Sequence, residues 1–148
     1  VHRVFADTFY WIALVHRKDA SNKAALAWSR KVTSVLVYTT DEVLTEVLAF
    51  CSSDEGLRAD AAKIARSILT ASTVRVLPQS RQTFLEGLAF YEARPDKGYS
   101  LTDCISMQAM RREGLTEALT NDRHFEQEGL RAVFRDSDGS HTAGDAKP

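Results

Sequence analysis

Cysteine is scarce in this chain, and its scarcity narrows the chemistry. The two that occur, Cys51 and Cys104, stand in neither a CxxC nor a Cys/His spacing, which argues against a zinc site or a disulfide framework. Both fall within helix-like apolar patterns and are read as reduced, packed thiols, as expected of a cytoplasmic protein; a disulfide joining them is the alternative. No apolar run reaches the roughly 18 residues that suggest a membrane span, and no signal-peptide pattern is read at the amino end. An excess of one charge is also lacking. Nineteen Lys and Arg stand against 20 Asp and Glu, for a net charge of −1. Nothing global therefore draws the chain to nucleic acid, and only a local basic patch can do so. There is no Gly-rich phosphate loop and no serine with His and Asp partners.

What is present suits one ordinary domain. The 148 residues are 44% apolar and 26% charged, enough to bury a core without covalent staples. Residues 136–148 are rich in Asp, Ser, Gly and Ala and carry no large apolar side chain. They are expected to be a disordered tail behind a domain spanning 1–135.

Strand-like and helix-like patterns alternate along the domain. Short apolar runs at residues 3–6, 35–38, 74–77, 118–120 and 131–134 read as strands. Helical periodicity is read over 8–16, 23–32, 39–51, 56–71, 80–91, 100–113 and 122–128. Thr39 and Glu42 have the spacing of a capping box, Ser80 can cap the next helix, and Gly114 is a natural stop. Trp11 and Trp28 lie on apolar helical faces and read as core or interface residues. The alternation predicts an α/β fold, a parallel sheet with helices on both faces.

Four carboxylates stand at corresponding places in that pattern. Asp7 follows the first strand and Asp122 the fourth. Glu46 lies about one and a half turns into the helix after the second strand, and Asp103 in the first turn of the helix before the fourth. Strand ends and the helix starts that follow them cluster at one rim of a parallel sheet, where ligands of open α/β sheets bind. Like charges brought together there repel unless a cation joins them or some are protonated. Oxygen ligands select Mg²⁺ or Mn²⁺, and the chemistry such ions serve is phosphodiester hydrolysis. Each residue also has a plainer reading. Asp7 and Asp122 can be helix N-caps, Asp103 a favourable acid at a helix amino end, and Glu46 a solvated helix acid. Glu42 shares the face of Glu46 and is read as the capping-box residue. His124 can be a general base or a helix-start residue packed beside Phe125. Arg94, Lys97, Arg111, Arg112 and Arg123 flank the acidic motifs and can bind RNA phosphates or simply be solvated.

Taken together, the motifs resemble those of a known family. Phe5-Ala6-Asp7-Thr8, Thr45-Glu46-Val47-Leu48, Leu101-Thr102-Asp103-Cys104 before an Ala/Met helix, and Leu119-Thr120-Asn121-Asp122-Arg123-His124-Phe125 look like PIN-domain nucleases. The VapC-like toxins of bacterial toxin–antitoxin modules are the subset they resemble most. The resemblance runs over residues 3–135. It implies a three-layer α/β/α fold on a five-stranded parallel sheet of order 3-2-1-4-5. It also implies an acidic quartet of Asp7, Glu46, Asp103 and Asp122 holding Mg²⁺ or Mn²⁺, with Thr8, Thr120 and Asn121 as polar support, and endonucleolytic cleavage of RNA.

A toxin of this kind implies a small antitoxin partner and a homodimer. Three alternatives are weighed: a PIN-like module that binds RNA or protein without catalysis, an RNA-processing nuclease outside toxin–antitoxin systems, and a phosphatase. The last is disfavoured because Phe9 stands where a DxD phosphatase has its second Asp.

Overall fold

A computed structural model describes residues 1–137 of the chain. In order, the elements are β1 (His2–Ala6), α1 (Thr8–Val15), α2 (Asn22–Lys31), β2 (Val35–Thr40), α3 (Asp41–Phe50), α4 (Glu55–Thr70), β3 (Val74–Leu77), α5 (Arg81–Ala93), α6 (Leu101–Glu113), β4 (Glu117–Leu119), α7 (Arg123–Gln127), β5 (Arg131–Ala132) and α8 (Val133–Ser137). The five strands form one sheet in the order β3-β2-β1-β4-β5, and every pairing is parallel. This is the expected α/β/α architecture. Among the described residues no helix is long and apolar enough to cross a membrane.

The centre of the sheet explains the opening motif. Val4, Phe5 and Ala6 of β1 are all fully buried. A strand covered on both faces needs apolar residues in succession, not in alternation. β1 pairs with β2 on one side and β4 on the other, with Phe5 beside Ala118 and Ala6 beside Leu119. The chain order reverses direction at β1, so a crevice opens beyond the carboxyl ends of β1 and β4. Asp7 and the segment 120–122 emerge into that crevice.

Helix α6 supplies much of the core. Cys104, Ile105, Ser106, Met107, Ala109 and Met110 are buried on it, and it packs closely on α5. That approach requires Gly87, because a Cβ there would collide with the side chain of Ile105. Gly114 ends α6 in the left-handed conformation, φ 65°, as its place in the sequence predicts. Cys51 and Cys104 are both free and buried.

Two local expectations are corrected. The cap of α3 is Thr40, not Thr39: the Thr40 hydroxyl accepts from the Val43 amide at 3.1 Å. Thr39 remains in β2, where its hydroxyl donates to the Ala6 carbonyl and accepts from Trp11 Nε1. Glu42 therefore falls one position short of the capping-box site. The last strand stops at Ala132, and residues 133–137 turn into α8. Phe134 is pulled out of the sheet direction to pack against Phe9 and Tyr10, with ring centroids 5.4 and 6.1 Å away. Helix α8 takes in residues 136 and 137; the expectation of disorder over 138–148 lies outside the described residues.

Candidate functional site

The crevice at the end of β1 and β4 is an open cleft of about 480 Å³, and Asp7, Glu46, Asp103 and Asp122 all line it. Each acid arrives there from a different element. Asp7 occupies the N-cap position of α1, yet its side chain makes no capping hydrogen bond. It turns instead to Thr120, whose hydroxyl donates to Asp7 Oδ2 at 3.0 Å. The same hydroxyl accepts from the Asp122 amide at 3.1 Å, so one buried threonine ties the ends of β1 and β4 together. Asp7 thus holds the N-cap position of α1 while its carboxylate serves the junction of β1 and β4.

For Asp103 and Asp122 both readings hold. Asp103 is the third residue of α6 and completes a capping box with Ser100, its Oδ2 accepting from the Ser100 amide at 3.0 Å. Asp122 caps α7 through the His124 amide at 2.9 Å. In each case the cap fixes the carboxyl group at the rim of the cleft. Glu46 reaches the cleft from α3, whose start is fixed by the Thr40 cap.

The electrostatics are those of like charges crowded together. Burial first, and then the negative charge of Asp103, raise the Asp7 carboxyl to about 7. The Thr8 amide and the Thr120 hydroxyl oppose this, and Glu46 adds to it. Asp103 is also raised, by burial first and then by Asp122 and Glu46 against the Ser100 amide. His124 lies beside two of them, its Nδ1 3.7 Å from Asp103 Oδ2 and 3.3 Å from Asp122 Oδ1.

The residues present fit a divalent ion. The donors are mainly hard carboxylate oxygens, the set that suits Mg²⁺ or Mn²⁺. Thr8 Oγ1 lines the cleft, is buried, and has no hydrogen-bond partner. A buried hydroxyl in that condition is costly unless something else satisfies it. Asp103, Asp122 and His124 each offer one ligand atom, all within 4.8 Å of one another. Asn121 lines the same cleft and is exposed.

The five basic residues separate into groups. Arg123 lines the cleft and is exposed. Lys97 is exposed in the turn between α5 and α6. Arg112 pairs with Glu86 at 2.9 Å on the surface. Arg94 and Arg111 are both engaged by Glu128, at 2.9 and 3.1 Å.

Glu128 forms a centre that sequence reasoning missed. Its side chain is 8% exposed and also accepts from the Tyr99 hydroxyl at 2.9 Å. The Phe90 ring packs with both guanidinium groups, 4.8 and 5.1 Å from its centroid. Burial alone would raise the Glu128 carboxyl, but the hydrogen bonds of Arg94 and Tyr99 and the two positive charges outweigh it and hold it low. Tyr99 in turn packs edge-on against His124, with ring centroids 5.2 Å apart. The Glu128 centre thus adjoins the acidic cleft through one aromatic contact.

Known proteins share both pattern and fold. The sequence profile of the PIN domain matches residues 4–129. The 23S rRNA-specific endonuclease VapC20 of Mycobacterium tuberculosis is 28% identical over 128 residues, 86% of this chain and 95% of that protein. The crystal structure of VapC20, described as a sarcin–ricin-loop-cleaving toxin, superposes with a TM-score of 0.74 at 27% identity, covering 86% of this chain and 95% of the other. The structure of VapBC2 from Rickettsia felis bound to a promoter DNA fragment shares the fold, with a TM-score of 0.61 at 14% identity over 88% of this chain and 96% of that one.

Proposed function

The chain belongs to the PIN domain family, and on that premise we propose that it is a Mg²⁺- or Mn²⁺-dependent endoribonuclease, the toxin of a toxin–antitoxin module. One observation carries the reading. Four carboxylates converge on one cleft, and two of them are driven up by burial and mutual repulsion. Such an arrangement is costly unless a cation completes it.

Asp7 and Asp103 would hold the ion directly, with Glu46 and Asp122 completing its shell or engaging it through water. A divalent ion bound there supplies an acidified water and positive charge for the leaving oxygen of a phosphodiester. Thr120 donates to one Asp7 oxygen and so fixes which lone pairs face the cleft. Thr8 and Asn121 contribute polar groups to its wall. Arg123 at the mouth meets the approaching RNA backbone, where most nucleic-acid affinity arises.

The toxin reading draws on the likeness to VapC20. It brings with it a small antitoxin and a homodimer, for which exposed apolar side chains are available: Leu48, Phe50 and Leu69 on α3 and α4, and Phe84, Leu85 and Tyr91 on α5. A cytoplasmic location follows from the RNA substrate.

The test is cleavage of an RNA pool that includes ribosomal RNA, with Mn²⁺, Mg²⁺ or chelator, by the native chain and by Asp7→Asn. Cutting that needs the ion and vanishes in the variant is expected. Equal cutting by both proteins would place the activity elsewhere, and binding of RNA without cutting would favour a non-catalytic module.

A further inference from the structure

The geometry points to His124 as a nitrogen ligand of a divalent ion shared with Asp103 and Asp122, and so to a centre that prefers Mn²⁺ to Mg²⁺. This rests on the reading of the acidic cleft as a metal site. His124 Nδ1 is sealed from water and has no hydrogen-bond partner. It nevertheless faces two carboxylates, 3.3 Å from Asp122 Oδ1 and 3.7 Å from Asp103 Oδ2. Adjacent ligands on an octahedral ion with bonds of about 2.1 Å stand about 3 Å apart. The observed separations exceed that by less than an ångström, a gap that small side-chain rotations close. An imidazole nitrogen buried without a partner is unfavourable; an ion shared with the two carboxylates satisfies all three groups together.

The ring is held in place for this. Phe125, the next residue, is fully buried and anchors the start of α7. Tyr99 packs edge-on against the imidazole at 5.2 Å, and its hydroxyl is fixed by Glu128, itself held by Arg94 and Arg111. Supports of this kind around a ligand tune metal affinity. They also give the Glu128 centre a role as the outer buttress of the cleft. Imidazole is readily accepted by transition-metal ions, whereas Mg²⁺ favours oxygen and keeps its waters. A single nitrogen in an otherwise all-oxygen set therefore discriminates between the two.

The experiment is pulsed electron paramagnetic resonance of the Mn²⁺-loaded chain, with Mn²⁺ and Mg²⁺ affinities measured by titration calorimetry. Nuclear modulation from a directly bound ¹⁴N is expected in the native protein and is lost in His124→Gln. The variant should bind Mn²⁺ about tenfold or more weakly, with Mg²⁺ affinity little changed. Bound Mn²⁺ without nitrogen coupling, or unaltered Mn²⁺ affinity in the variant, would overturn the inference and leave the acidic metal site standing. No Mn²⁺ binding by the native chain would bring down the metal site and the inference with it. If His124→Gln does not fold, the native spectrum decides: among the described histidines, His2 and His16 line other hollows of the surface.

Discussion

Glu128 and Asp7 are carboxylates with little water around them, and their surroundings drive them in opposite directions. Glu128 sits among two guanidinium groups and a phenol, and its proton affinity is lowered. Asp7 sits among other acids with one hydroxyl donor, and its pKa rises to about 7. Glu128 is complete within the chain. On the proposed function, a cation completes Asp7 and its neighbours. The contrast sets a carboxylate neutralised by its own chain against one crowded by like charge, the one for which a cation is proposed, although both lie close to the same helix, α7.

Four changes would break or sharpen the contrast. The largest effect is expected from Asp7→Asn, which should lower RNA cleavage on the order of a thousandfold or more while leaving circular dichroism unchanged. The next concerns pH. In the metal-free protein Asp7 keeps its proton up to about pH 7, whereas in the unfolded chain it loses it near its ordinary value of 3.8. The native state therefore binds more protons through that window, so stability falls as pH rises from about 4 to 7 and is level above it. The Asp7 contribution to that fall is about 4 kcal/mol. Denaturant titrations at several pH values should show it in the native chain and show it removed in Asp7→Asn.

Glu128 runs the other way. Its stabilisation is present above the ordinary glutamate value of 4.5 and is lost as pH falls through its lowered folded value. Glu128→Gln should cost about 2 kcal/mol in chemical denaturation at pH 7, the reverse of the gain expected from Asp7→Asn. The smallest effect is expected at Arg112, paired with Glu86 where both side chains are about 40% exposed. Arg112→Ala should change stability by less than about 1 kcal/mol, and thermal unfolding will show whether this exposed pair differs from the Glu128 centre as described.

The acidic quartet was legible because strand ends are legible. A run such as Val4-Phe5-Ala6 stops on Asp7, and parallel topology then brings that stop beside Thr120 and Asp122. The order of the sheet followed from the family resemblance, and the alternation of periods gave the parallel class. What escaped was set by contacts that no local pattern encodes. Glu128 meets Arg94, Tyr99 and Arg111 across intervals of 34, 29 and 17 residues, so nothing around residue 128 marks it. The shift of the α3 cap from Thr39 to Thr40 has a simpler cause. Two adjacent threonines offer the same hydroxyl, and the hydrogen bonds of Thr39 with Trp11 and the Ala6 carbonyl assign one to the sheet and leave the other to the helix. Strand β5 was read two residues too long because Val133 and Phe134 are as apolar as strand residues, and it is Phe9 and Tyr10 that draw Phe134 into a helix.

The most direct test of the cleft as a cation site is the unfolding free energy of the native chain and of Asp103→Asn at pH 8, each with and without saturating Mn²⁺. Without the ion, relief of repulsion should make Asp103→Asn the more stable of the two. With Mn²⁺ the order should reverse, because the ion stabilises only the protein that binds it. If Mn²⁺ leaves both proteins unchanged, the four carboxylates are not a metal site.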